Sequence, residues 1–162
     1  SSCRICRRLM IQIDSRFSEI DTFIAQLSAD DLSDYARGQL ARFGAVRICG
    51  NVERCMEIVI LERLAKKAHP RIVSYVKSHF RRGTNYDCAA IAQLLVRFDT
   101  DWYRKFEAFV ATNPDVKEGI ASCYDVRNSV AHGGGLSIGD RRLRELADIS
   151  KRLIQGVIDS TV

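Results

Sequence analysis

The chain reads as an all-α, single-domain bundle of six to eight helices. Apolar residues recur at steps of three and four along most of its length, the period of a helix with one buried face. No useful stretch shows the strict apolar–polar alternation of a half-buried strand. Only two prolines and ten glycines are spread through 162 residues, too few for a turn-rich sandwich or barrel. The length suits one domain, and folding at that size buries about 70% of the surface the extended chain exposes.

Ile13, Phe17, Ile20, Ile24 and Leu27 fall on one face and predict a first helix that opens near Met10 and ends near Ser28. The helical domain is set at residues 14–162. Residues 1–13 are expected to be an N-terminal extension, with 1–9 a remnant of expression or processing. Ser28-Ala-Asp-Asp offers an N-cap followed by acids for the next helix. A long helical stretch then runs from about Arg37 to His69. Gly38, Gly44 and Gly50 interrupt its first half at about 1 kcal/mol each relative to Ala, which implies close packing against a neighbour or a break into two helices. Pro70 suits the first turn of the following helix, with Ile72, Val73, Val76 and Phe80 inward. Arg82-Gly-Thr-Asn is a loop. Asp87 to Phe98 and a segment carrying Trp102, Phe106 and Phe109 supply two more helices. Thr112-Asn-Pro-Asp turns into a helix from about Pro114 to His132, and three glycines end it. Asp140 is expected to cap a last helix with Leu143, Leu146, Ile149, Leu153, Ile154 and Val157 inward.

Hydrophobic residues at 46% and charged residues at 28% exclude a disordered chain. No apolar run approaches the roughly 20 residues of a membrane helix, so no membrane partner is expected. Six cysteines occur without a secretory segment, which points to a reducing cytoplasm, with Cys49, Cys88 and Cys123 as small core residues. Cys3 and Cys6 form a CxxC with no second pair, so no metal site is expected there. The net charge is +5, and it is uneven. Between Arg63 and Arg82 lie seven basic residues (Arg63, Lys66, Lys67, Arg71, Lys77, Arg81 and Arg82) and no acid. That window reads either as a surface for RNA or as a solvated basic face.

The chemistry-bearing stretch is Arg127-Asn128-Ser129-Val130-Ala131-His132. A guanidinium grips phosphate oxygens through a planar fork and stays charged. An imidazole takes the proton from a ribose 2′-hydroxyl or delivers one to a leaving 5′-oxygen. The three glycines leave backbone open for a strand to approach. On an ideal helix Asp125, Asn128 and His132 fall within about 60° of one another, so Asp125 or Asn128 is placed to orient the imidazole. Arg127 falls about 140° away, among Ile120, Cys123, Val126 and Val130 on the core side. Either its side chain reaches round, or that side is partly an interface with another chain. A buried arginine needs a partner, and Glu53 or Glu57 can supply it.

Arg127, Asn128 and His132, followed by glycine near the end of a helical domain, resemble the R-x4–6-H motif of the HEPN superfamily. Gly50-Asn-Val-Glu53 on the long second helix, Asn85 to Phe109 with its WYRKF segment, and RNSVAHG are together similar to the RiboL-PSP-HEPN type over about residues 14–135. The resemblance implies a HEPN-like bundle and a metal-independent, cofactor-free endoribonuclease of toxin or phage-defence type. It further implies a site shared across a homodimer and, in a toxin, a neutralising antitoxin partner. Carried over, Arg127 and His132 are the motif pair, Asn128 its polar neighbour, and Glu53 the acid of the second helix. The chain departs from one subgroup in having Gly134 where that subgroup carries a tyrosine open to adenylylation. Two other classes stay open: a non-catalytic RNA- or nucleotide-binding module, and a helical interaction subunit.

Overall fold

A computed structural model describes residues 2–28, 31–65 and 67–162, with side chains from residue 7 onward. Among them are seven α-helices and no strand: α1 (Ser2–Gln26), α2 (Asp34–Leu64), α3 (Pro70–His79), α4 (Cys88–Phe98), α5 (Thr100–Thr112), α6 (Pro114–Ala131) and α7 (Asp140–Ser160). A 3-10 turn (Phe80–Arg82) follows α3. The expectation of an all-helical bundle is met.

The first helix buries Ile13, Phe17, Ile20 and Ile24, the face its spacing marked, and it starts at Ser2 rather than near Met10. Leu9, 1% exposed, is part of the core. Cys3 and Cys6 lie outside the described side chains. The cap of α2 is Ser33, whose Oγ accepts from the Ala36 N–H at 3.2 Å, and not Ser28. Ser28 instead accepts a hydrogen bond from Arg144. A serine five residues closer to the helix satisfies an amide of its first turn, which Ser28 is too far upstream to reach.

The second helix runs unbroken through its three glycines and forms the axis of the bundle, with α1, α6 and α7 around it. Ile48, Val52, Met56 and Ile60 on it are fully enclosed. Of the glycines only Gly44 sits in a tight crossing: a Cβ there would lie 2.6 Å from a Leu143 methyl, whereas Gly38 and Gly50 face open space. Asp87 and Asp99 cap α4 and α5, accepting from the Ala90 and Asp101 N–H groups at 2.8 and 2.7 Å. Asp140 occupies the first turn of α7 instead of capping it, and its carboxylate meets Arg37 at 3.4 Å.

The third helix departs furthest from expectation. None of its residues is buried, and Ile72 is exposed rather than inward. Val76 and Phe80 reach the core only at its margin. Because α3 packs mainly against α2, one narrow side suffices to hold it. Among the described residues no helix is long and apolar enough to cross a membrane.

A candidate active site at the end of helix 6

Pro114 opens α6, and its C-terminus is built for a sharp stop. The His132 N–H donates to the Asn128 carbonyl at 3.1 Å, and Gly133 then takes a φ of +70°, a region that favours glycine. The chain folds back so that the Gly134 N–H meets the Ser129 carbonyl at 2.6 Å, and the Ser129 hydroxyl accepts from Leu136. A Cβ at Gly134 would stand 2.4 Å from Ser129 Oγ, so no tyrosine fits this backbone. Gly134 is therefore covered by the protein's own serine, and Arg42 holds its carbonyl. Of the three glycines, it is Gly133 and Gly135 that are exposed, with open space where a Cβ would stand.

The Arg127 side chain does reach round, and it finds Glu53. Its guanidinium lies 3.8 Å from Glu53 Oε1 and donates a hydrogen bond to Asn85 Oδ1. Glu57, the alternative partner, pairs with Arg54. The Asn85 amide donates in turn to Asn128 Oδ1 at 3.4 Å. One asparagine from the loop before α4 thus ties together Arg127 and Asn128 of α6. Burial holds the Glu53 carboxyl above the usual glutamate range, and the Arg127 charge opposes that shift. Tyr86 and Tyr124 line the same seam, and burial pushes both phenols up, with Glu53 adding to each.

His132 stands apart from this cluster. It is exposed, and its imidazole makes no hydrogen bond or ion pair among the described residues. Asn128 is engaged with Asn85 rather than with the ring, and Asp125 is exposed. A single chain therefore brings together Arg127, Asn128 and Glu53 but leaves His132 on its own. Asn85 was missed by sequence reasoning. Its signal was weak, an amide in a Gly-Thr-Asn loop, and nothing local says that α6 lies opposite.

The basic window divides. Arg63 is partly buried, and its guanidinium donates to the Ile158 carbonyl at 3.1 Å and the Thr161 hydroxyl at 3.2 Å, closing the C-terminal end of α7. Lys67, Arg71, Lys77, Arg81 and Arg82 are exposed and make no ion pair among the described residues. Lys66 lies outside the described residues. In the core, Cys49 and Cys123 face each other across α2 and α6 with sulfurs 3.6 Å apart. Cys55 and Cys88 are likewise buried free thiols. No group of three or more His, Cys, Asp or Glu among the described residues is arranged to hold a metal ion.

The all-helical bundle is the architecture expected of a HEPN-type domain. The RiboL-PSP-HEPN family model matches residues 11–161, and the chain belongs to that family. No curated protein and no solved structure matches the chain.

Proposed function

We propose that the protein is a metal-independent endoribonuclease of toxin or phage-defence type. It would act in the cytoplasm as a homodimer and be held in check by a protein partner. The observation that carries this reading is the contrast on α6: Arg127 is held in place by Asn85 and Glu53, while the His132 imidazole is free and open to solvent a little over one turn further on. Family membership supports an RNA-related role. His132 takes the proton from a ribose 2′-hydroxyl as that oxygen attacks the adjacent phosphorus. The 5′-oxygen leaves with a proton delivered by the second copy's imidazole, giving a 2′,3′-cyclic phosphate and a 5′-hydroxyl. Arg127 stabilises charge on the non-bridging oxygens as the phosphorane forms.

The incompleteness of one chain supports the dimer reading. Among the described residues no group orients the His132 ring, and Leu136 beyond it is 51% exposed. A second copy across a two-fold axis covers such a surface and brings two histidines and two arginines to one cleft. One observation favours a binding module instead: the Arg127 guanidinium already has two partners within its own chain.

A cleavage assay decides between them. His132→Ala lowers RNA cleavage by about 10²–10⁴-fold while binding survives, and wild-type cleavage persists in excess EDTA. Cleavage lost in EDTA and restored by magnesium overturns the mechanism. No cleavage by the wild type leaves the binding module.

A further inference from the structure

The third helix shows water a surface of unusual make-up. Ile72 is 53% exposed and Tyr75 65%. Between Pro70 and Arg82 lie four basic residues and no acid. Positions four apart share a helix face, so Arg71, Tyr75 and His79 form one stripe. The Tyr75 and His79 rings meet edge to face with centroids 4.6 Å apart, which fixes the tyrosine's orientation without covering it. The 3-10 turn adds Arg81 and Arg82 at the end of the stripe.

We propose that this stripe is a binding site for single-stranded RNA, with one unpaired base stacked on Tyr75 and neighbouring phosphates on Arg71 and Arg82. Charge alone attracts any nucleic acid, duplex or not. An exposed aromatic ring adds affinity only for a base whose face is free, and a duplex hides its bases in the stack. Arg71 and Tyr75 are separated by about 6 Å along the helix axis, the scale of one nucleotide step. The location suits delivery to the candidate site, because Asn85, which holds Arg127, follows Arg82 by three residues. An anionic membrane would also meet basic residues here. However, Val76 packs against the core and Val73 is partly buried, which leaves only Ile72 and Tyr75 to insert, far short of an interfacial helix.

The inference rests on the RNA reading above but concerns how a strand is chosen, not how it is cut. It is tested with a 2′-O-methyl oligonucleotide, which binds but offers no 2′-hydroxyl to attack. Fluorescence anisotropy compares a single strand with its duplex over a range of salt. The wild type binds the single strand more tightly. Tyr75→Ala weakens that binding about 5- to 10-fold and leaves duplex binding unchanged, while Tyr75→Phe binds like wild type. Arg71→Gln weakens both and flattens the salt dependence by up to about one unit of slope. Single-strand affinity unchanged in Tyr75→Ala, or lost equally for duplex, overturns the proposal. So does Tyr75-dependent binding to phosphatidylserine vesicles without Tyr75-dependent binding to RNA. Since nothing is cut here, failure leaves the His132→Ala cleavage assay to stand on its own, and the reverse holds too.

Discussion

Removing Arg127 should make the stability of the protein depend more steeply on pH. In Arg127→Ala, Glu53 keeps a buried oxygen that has no hydrogen bond and loses the charge that offsets its burial. Breaking a fully buried pair costs 3–5 kcal/mol, but these side chains are 31% and 23% exposed and 3.8 Å apart, so about 1–2 kcal/mol is the reasonable share. The lost hydrogen bond to Asn85 adds about 1 kcal/mol that does not depend on Glu53. An acid whose folded pKa exceeds its unfolded value holds its proton longer in the folded state. Its stability contribution therefore declines as pH rises from the ordinary glutamate range through the raised value. Glu53 is already raised, and losing Arg127 raises it further. Urea denaturation should show the variant about 2–3 kcal/mol less stable than wild type near pH 8, with the deficit shrinking toward about 1 kcal/mol as the pH falls into and below the ordinary glutamate range. At this chain length each kcal/mol moves Tm by about 2–4 °C. Adding Glu53→Gln to Arg127→Ala should recover most of the loss near pH 8 and flatten the profile. Equal losses at both ends of this pH range, or a double variant no better than the single, would show that the pair is not electrostatically coupled.

Two further outcomes follow from the packing. Gly156→Ala should cost about 1–3 kcal/mol, because its Cβ would stand 2.5 Å from the Phe109 ring. Gly50→Ala, with open space around it, should gain up to about 1 kcal/mol of helix propensity; thermal melts of the two variants moving in the same direction would contradict this packing. Sedimentation at tens of micromolar should give a dimer, and Leu136→Asp should shift it toward monomer. A wild-type monomer would count against a shared active site.

Where packing followed local spacing, the sequence was readable. The Ile13 to Leu27 face, the Pro70 start of α3 and the apolar stripe of α7 each depend on neighbours within a turn or two. The pairing of Arg127 with a glutamate of the second helix was also legible, since a buried cation requires an anion and only Glu53 and Glu57 were suitably placed. What escaped depends on distant contacts. Nothing near Gly44 distinguishes it from Gly38 or Gly50 until Leu143 arrives from 99 positions away. Arg63 looks like any member of a basic window until the end of α7 takes up its donors. Asn85 matters only because α6 passes opposite its loop. The outward turn of Ile72 reflects a helix held on one narrow side, for which sequence offers no sign.

The last helix touches α1, α2, α5 and α6, and Lys151 reaches back 130 positions to Asp21. During synthesis, then, the early helices wait. The core that these helices share with α7 cannot close until residues 140–160 have left the ribosome, so the bundle closes late. Under the ribonuclease proposal this order has a use: while a half-made chain is still beside the ribosome's own RNA, the bundle that carries Glu53 and Arg127 has yet to close.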